Sequence, residues 1–175
     1  MPYSLFLSIA AAAVWLAACT STPRPLATVP SVDLDRYYGR WYEIARLPNR
    51  FQAMCVSDTQ ATYRADGPTV AVVNQCRTAT GLEQAKGIAK VVAGSRGARL
   101  KVSFFRPFYG DYWILDLDPD YRWVLVGEPG RQYAWILARE PKLDAATQTA
   151  LLARAAELGF DRQAFIMTPH TRVER

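Results

Sequence analysis

Between Trp41 and Arg139 the chain alternates short β-rich runs with turn signals, and this rhythm fixes the class of fold. The runs at 41–46, 59–63, 70–74, 87–92, 100–104, 112–117, 121–126 and 133–139 predict eight strands. Ala65-Asp66-Gly67-Pro68, Gly94-Ser95-Arg96-Gly97, Asp118-Pro119-Asp120 and Pro129-Gly130 interrupt them with turn-forming residues. Eight successive antiparallel strands suit an up-and-down barrel, because closure removes both sheet edges. A barrel of that size is filled by its own side chains or holds one small ligand. Then the period switches. Asp144 is placed to cap a helix with Leu151, Leu152, Ala155 and Leu158 on its apolar face, and Gly159 is its expected stop. Residues 165–167 suggest a last short strand. The expected class is all-β: an eight-stranded up-and-down antiparallel β-barrel with one C-terminal α-helix packed outside.

Residues 1–18 carry no charged side chain, and their apolar run ends in Leu16-Ala17-Ala18-Cys19 before a polar Thr20-Ser21-Thr22. Small residues ahead of a cleavage point mark an exported signal segment. The run is also short for a spanning helix. Leu-Ala-Ala-Cys resembles the lipobox of bacterial lipoproteins, in which that cysteine is acylated and becomes the new N-terminus. The resemblance implies a signal peptide over 1–18, a lipid on Cys19, an extended Pro-rich tether over 19–32 and a barrel domain over 33–175. Thr20, where an Asp would signal retention, implies the outer membrane, with the barrel facing the periplasm. A plain signal peptide or an uncleaved anchor is the alternative, since the segment starts without Lys or Arg.

The charge is +5, from 21 Lys+Arg against 16 Asp+Glu, and no window is a basic block, so nucleic acid is not an expected partner. The single histidine, His170, excludes a histidine-rich metal site and argues against a Ser-His-Asp triad. Asp116, Asp118 and Asp120 are spaced like the start of a calcium loop. Tyr121 stands where such a loop needs Gly, and Gly127 where it needs Glu, so calcium is rejected. No metal and no cofactor are expected. With Cys19 used for lipid, Cys55 and Cys76 remain to pair in an oxidising compartment. A hairpin folded about Asp66-Gly67 puts Cys55 opposite Thr78, two residues beyond Cys76, so the bond needs a bulge.

Gly39-Arg40-Trp41-Tyr42-Glu43 and its flanks resemble the Gly-x-Trp signature of the lipocalin family. Lys101-Val102-Ser103-Phe104-Phe105-Arg106-Pro107-Phe108-Tyr109-Gly110 resembles its bacterial outer-membrane lipoproteins, and more loosely its apolipoprotein D-like members. Asp116–Tyr121 is similar to the second family motif in altered form, and Trp135-Ile136-Leu137-Ala138-Arg139 to the third. The resemblance covers about 33–168. It implies that Arg139 lies over Trp41 at the closed end, that Gly39, Trp41 and Arg139 are structural, and that Tyr63, Trp113 and Trp135 line a pocket.

Strand alternation extends that set. With Trp41 inward, the inner face should hold Ala61 and Tyr63, then Val70, Val72 and Asn74. Leu100, Val102 and Phe104 follow, then Trp113 and Leu115, then Trp135 and Leu137. The expected ligand-lining residues are Tyr63, Val72, Asn74, Val102, Phe104, Trp113, Leu115, Trp135 and Leu137. The loop at 47–55, with Phe51 and Met54, should arch over the open end. Phe108 and Tyr109 sit at the same rim, where Arg50 or Arg106 would attract an anionic head group.

The expected function is a lipid-anchored binder that stores or transfers a fatty acid or lysophospholipid-like lipid without reacting on it. Its relatives include homodimers. The alternative is an isomerase-like enzyme on the same scaffold. Glu43 is an acid candidate, but no second acid or nucleophile accompanies it.

Overall fold

The computed structural model describes residues 25–171. Cys19 and residues 1–18, where a signal peptide is expected, lie outside the described residues. A short helix, α1 (Leu34–Tyr37), precedes the strands and is capped by Asp33, whose side chain accepts from the Asp35 N–H. The strands are β1 (Gly39–Arg46), β2 (Ser57–Asp66), β3 (Thr69–Arg77), β4 (Leu82–Val91), β5 (Arg99–Phe105), β6 (Phe108–Leu117), β7 (Trp123–Gly127) and β8 (Ala134–Ala138). Each pairs antiparallel with the next, and β1 closes the sheet by pairing with both β8 and β2. This is the closed barrel that the spacing predicts.

Helix α2 (Ala145–Glu157) follows, capped by Asp144, with Leu151 and Ala155 buried. Gly159, at φ +90°, ends it. The helix covers Ile44, Ala45, Leu125, Ile136 and Ala138 on the outer wall. β9 (Ile166–Met167) pairs with Ala45 and Arg46. β2 contacts only the first half of β1, from Gly39 to Tyr42. The chain after β9 fills the remaining gap, since Asp58 N–H donates to the Pro169 carbonyl and Thr168 N–H to that of Ile44.

Most strands run longer than the sequence reading, and three boundaries change what sits where. β4 begins at Leu82, five residues before the expected start at Gly87. β7 begins at Trp123, because Tyr121 takes φ +60° in the preceding turn. Within the stretch expected as a tether the chain already docks on the barrel: Leu26 and Val32 are buried, and Val29 N–H donates to the Ile114 carbonyl.

The β2–β3 hairpin also corrects an expectation. Asp66 pairs with Thr69 and Ala61 with Asn74, so the turn residues are Gly67 and Pro68 and the register is two residues off the expected one. A register shift between Ser57 and Gln60 then sets Ser57 opposite Arg77. The bulge brings Cys55 and Cys76 together as a disulfide, with Cα atoms 5.6 Å apart.

Candidate functional site

The closed end is built from the first motif. Gly39 adopts φ +99°, which a side chain rarely tolerates, and Arg139 Nη1 lies 3.3 Å from where a Cβ would stand. The Arg139 guanidinium sits 3.8 Å from the centre of the fully buried Trp41 ring. It donates to the carbonyls of Arg36, Tyr37 and Arg40. Trp41 in turn donates its indole N–H to the Tyr37 carbonyl at 2.8 Å. One cation thereby locks α1, β1 and the end of β8 into a floor.

Above the floor lies a layer of phenols. Tyr112 Oη is 2.8 Å from Tyr37 Oη and 2.9 Å from Tyr63 Oη. Burial pushes all three upward: Tyr63 to about 12 despite its bond to Tyr112, Tyr37 and Tyr112 well above the ordinary phenol value. The ring is therefore neutral at ordinary pH, and its hydroxyls satisfy one another. With Val70, Val72, Leu100, Ile114, Val126 and Leu137 it fills the lower barrel.

The upper inner wall is different. Val102, Asn74 and Trp135 are half-buried, and Phe104 is 42% exposed. Ala85, whose register places it beside Asn74 on the inner face of β4, is exposed. Gly87 leaves room for the Phe104 ring: a Cβ there would come within 2.7 Å of it. The inner face is thus packed below and open above.

The mouth carries a polar cluster. Glu43, only 2% exposed, is bonded by Arg46 at 2.8 Å, by the Thr168 hydroxyl at 2.5 Å and by Gln52 Nε2 at 2.6 Å. Gln52 Oε1 accepts from Asn49 at 2.8 Å and from the indole N–H of Trp135 at 2.9 Å. Gln52 belongs to a 3₁₀ turn (Arg50–Gln52) within the 47–55 loop. That loop is therefore held at one end by Glu43 and Trp135 and at the other by the disulfide. Glu43 is held by three hydrogen bonds here, and among the described residues no second acid is bonded into the cluster.

Of the nine candidate lining residues, Tyr63, Val72, Val102, Trp135 and Leu137 belong to the inner cluster. Asn74 and Phe104 share that face by strand alternation. Tyr63, Val72 and Leu137 lie in the packed part. Trp113 and Leu115 are corrections: both stand on the outer wall, in the cluster that α2 covers. Leu100 pairs with Tyr112, so Tyr112 and Ile114 turn inward and Trp113 outward. There Arg99 lies 4.4 Å from the centre of the Trp113 ring, and Asp111 accepts its N–H.

A signal for this phase was present. Lys101 and Asp111 pair as charged residues and must face water, which puts Trp113 on their side. Sequence reasoning also missed Tyr37, Tyr112, Gln52 and Thr168. Each acts through a partner far away in the chain, which periodicity does not reveal. Among the described residues no cluster of His, Cys, Asp or Glu is arranged to hold a metal ion.

Fold and site together define a small antiparallel calyx, plugged at one end by an arginine over a tryptophan and open at the other. The chain belongs to the lipocalins: the lipocalin-like domain matches residues 32–170. It is 40% identical over 165 residues to the outer membrane lipoprotein Blc of Escherichia coli (strain K12), covering 91% of this chain and 93% of that one. It is 38% identical over 158 residues to temperature-induced lipocalin-1 of Arabidopsis thaliana, covering 85% and 84%. Among solved structures, insecticyanin from the tobacco hornworm Manduca sexta superposes with a TM-score of 0.66 at 22% identity, covering 81% of this chain and 82% of that one. That last likeness bears on the fold alone.

Proposed function

We propose that the protein is a lipid-anchored lipocalin of the cell envelope that binds, stores or hands on one fatty-acyl or lysophospholipid-like lipid, unchanged. The observation that carries this reading is the division of the barrel: neutral phenols and aliphatic side chains below, an apolar wall open to the mouth above. A chain entering from the mouth runs past Phe104, Val102 and Trp135 and stops on the tyrosine layer. Each buried methylene contributes about 0.8 kcal/mol, so eight to twelve give roughly 6–10 kcal/mol before the costs of association. The head group stays at the rim near Arg50 and Arg106. The three hydrogen bonds that tie the Glu43 carboxylate to Arg46, Gln52 and Thr168 support binding rather than catalysis.

The envelope location rests on the Leu16–Cys19 motif and on relatives named as outer membrane lipoproteins. Acylated Cys19 anchors the chain, and the barrel faces the periplasm. Native mass spectrometry of protein taken from its own envelope tests the whole reading. It should detect a lipidated N-terminus at Cys19 and one acyl lipid per barrel whose mass does not change on incubation. The same spectrum reads monomer against homodimer. A bound lipid that is converted on incubation favours the isomerase-like alternative.

A further inference from the structure

The exposed apolar side chains are concentrated at one end. Among the described residues ten large hydrophobic side chains are exposed, and all but Val91 lie at or near the open end. The 47–55 loop and its exit contribute Phe51, Met54 and Val56. Leu82 follows the β3–β4 turn, and Phe105 and Phe108 flank the β5–β6 turn. Phe105 is 79% and Phe108 72% exposed. Scattered exposed hydrophobics are ordinary, but a contiguous rim of them marks an interaction surface.

Charge follows the same axis. Arg50 and Arg106 stand among these side chains, and neither makes an ion pair with a described residue. The acids at this end include Glu43, Asp58, Glu83, Glu128 and Asp161; Glu43 is bonded by Arg46, and Asp161 caps its own turn by accepting from the Gln163 N–H. Glu128 is turned into its own loop, accepting from Gly130 and Gln132, and Asp58 is paired with Arg77. At the closed end Asp33, Asp35, Asp66, Asp118 and Asp120 stand beside Arg36, Arg96 and Arg122, with Val91 the one exposed large hydrophobic nearby. The approach of the chain agrees. Val32 is bonded to Arg96 in a closed-end loop, Val29 to Ile114 partway along β6, and Leu26 packs in the cluster that contains Leu47 and Ala134. From Val32 back to Leu26 the chain runs up the wall toward the open end.

We propose that the open end docks on an anionic lipid surface, with Phe105 and Phe108 entering the apolar region and Arg50 and Arg106 meeting the head groups. Amphipathic surfaces bind bilayers through buried apolar area plus attraction of basic side chains to anionic lipid. Two copies joined rim to rim would gather Arg50 and Arg106 of both copies in one interface, where like charge opposes the contact. A bilayer offers the complementary charge. Docked in this way, the mouth opens onto the membrane, and a hydrophobic ligand passes between the two without crossing water. The inference rests on the rim alone and holds whatever the lumen carries.

Hydrogen exchange of the full chain tests it, with vesicles of phosphatidylethanolamine and phosphatidylglycerol, with pure phosphatidylcholine vesicles, and without vesicles. On the anionic vesicles, amides at 50–56 and 104–109 should exchange several-fold more slowly, and those at 66–69 and 118–122 at unchanged rates. Raised salt should weaken the protection. Phe105→Ser with Phe108→Ser should remove it in whatever fraction stays on the vesicles, while the β2–β3 amides report an intact barrel. Vesicle-bound protein with an unprotected rim overturns the proposal. Equal protection on phosphatidylcholine overturns its anionic part. Protection that grows with protein concentration in the absence of vesicles assigns the rim to a second copy and overturns it as well.

Discussion

The indole N–H of Trp135 on β8 donates to the side-chain oxygen of Gln52 at 2.9 Å, joining the wall of the open lumen to the loop over its mouth. The same glutamine bonds the buried Glu43 at 2.6 Å. Gln52 is therefore the link between lid, wall and polar cluster.

Gln52→Ala should free the lid. It leaves the Glu43 oxygen and the Trp135 N–H without their partner, at about 1–3 kcal/mol for buried groups so exposed. Tryptophan emission of the ligand-free protein should shift to the red, and amides at 49–55 should exchange faster. Unchanged emission and exchange would show that the disulfide alone holds the loop.

The floor should be a coupled unit. Trp41→Ala should destabilise the barrel by about 3–5 kcal/mol, as large aromatic truncations in cores do. Arg139→Ala removes the cation–π contact and charged hydrogen bonds to four carbonyls, those of Arg36, Tyr37, Arg40 and Tyr121, a loss of about 2–4 kcal/mol. The double variant should lose less than the two single losses added together, because the groups touch. Urea denaturation of the four proteins checks this, and strict additivity would break the account of the plug.

The Cys55–Cys76 bond closes a loop with a sequence separation of 21 residues. On the chain-entropy account such a bond is worth about 3 kcal/mol. Cys55→Ser with Cys76→Ser should lower the denaturation midpoint accordingly. Thiol counting in denatured, unreduced protein should find neither of these two sulfurs free.

The tyrosine layer makes stability depend on pH at the alkaline end. Tyr63 is held up at about 12, by burial first, against about 10 for a free phenol. A folded value above the unfolded one means that the neutral form is favoured by folding. The contribution is complete below about pH 10 and is lost as the pH rises toward 12. In a spectroscopic titration the inner phenols should stay silent past pH 10 and ionise late, as the barrel opens. In Tyr63→Phe the alkaline loss of stability should be smaller.

The barrel was legible because its signals are local: alternating runs, turn residues, and a helix with Asp144 before it and Gly159 after it. The plug was legible through the resemblance that Gly39, Trp41 and Arg139 carry. The phase of β6 was misjudged for a physical reason. Tyr112 and Ile114 on one face and Trp113 and Leu115 on the other are equally apolar, so these four alone do not choose the phase, and the deciding charge is Asp111 just before them. One face meets the lumen and the other meets α2, and both are covered. The bulge in β1 between Glu43 and Ala45 hid the mouth cluster, since it turns Arg46 rather than Ala45 toward Glu43. The closure of the wall by Thr168 and Pro169 had no local signal at all.

Because Trp113 faces outward and Trp135 inward, the two indoles separate a ligand in the lumen from one on the wall. Delipidated, folded protein is titrated with a long-chain fatty acid or a lysophospholipid while tryptophan emission is followed. Emission should change saturably near one ligand per barrel, at micromolar affinity or better. The change should be retained in Trp113→Phe, largely lost in Trp135→Phe, and abolished when Ala85→Trp fills the upper lumen. A response that follows Trp113 instead, or no saturable response to any acyl lipid, would contradict binding in the lumen.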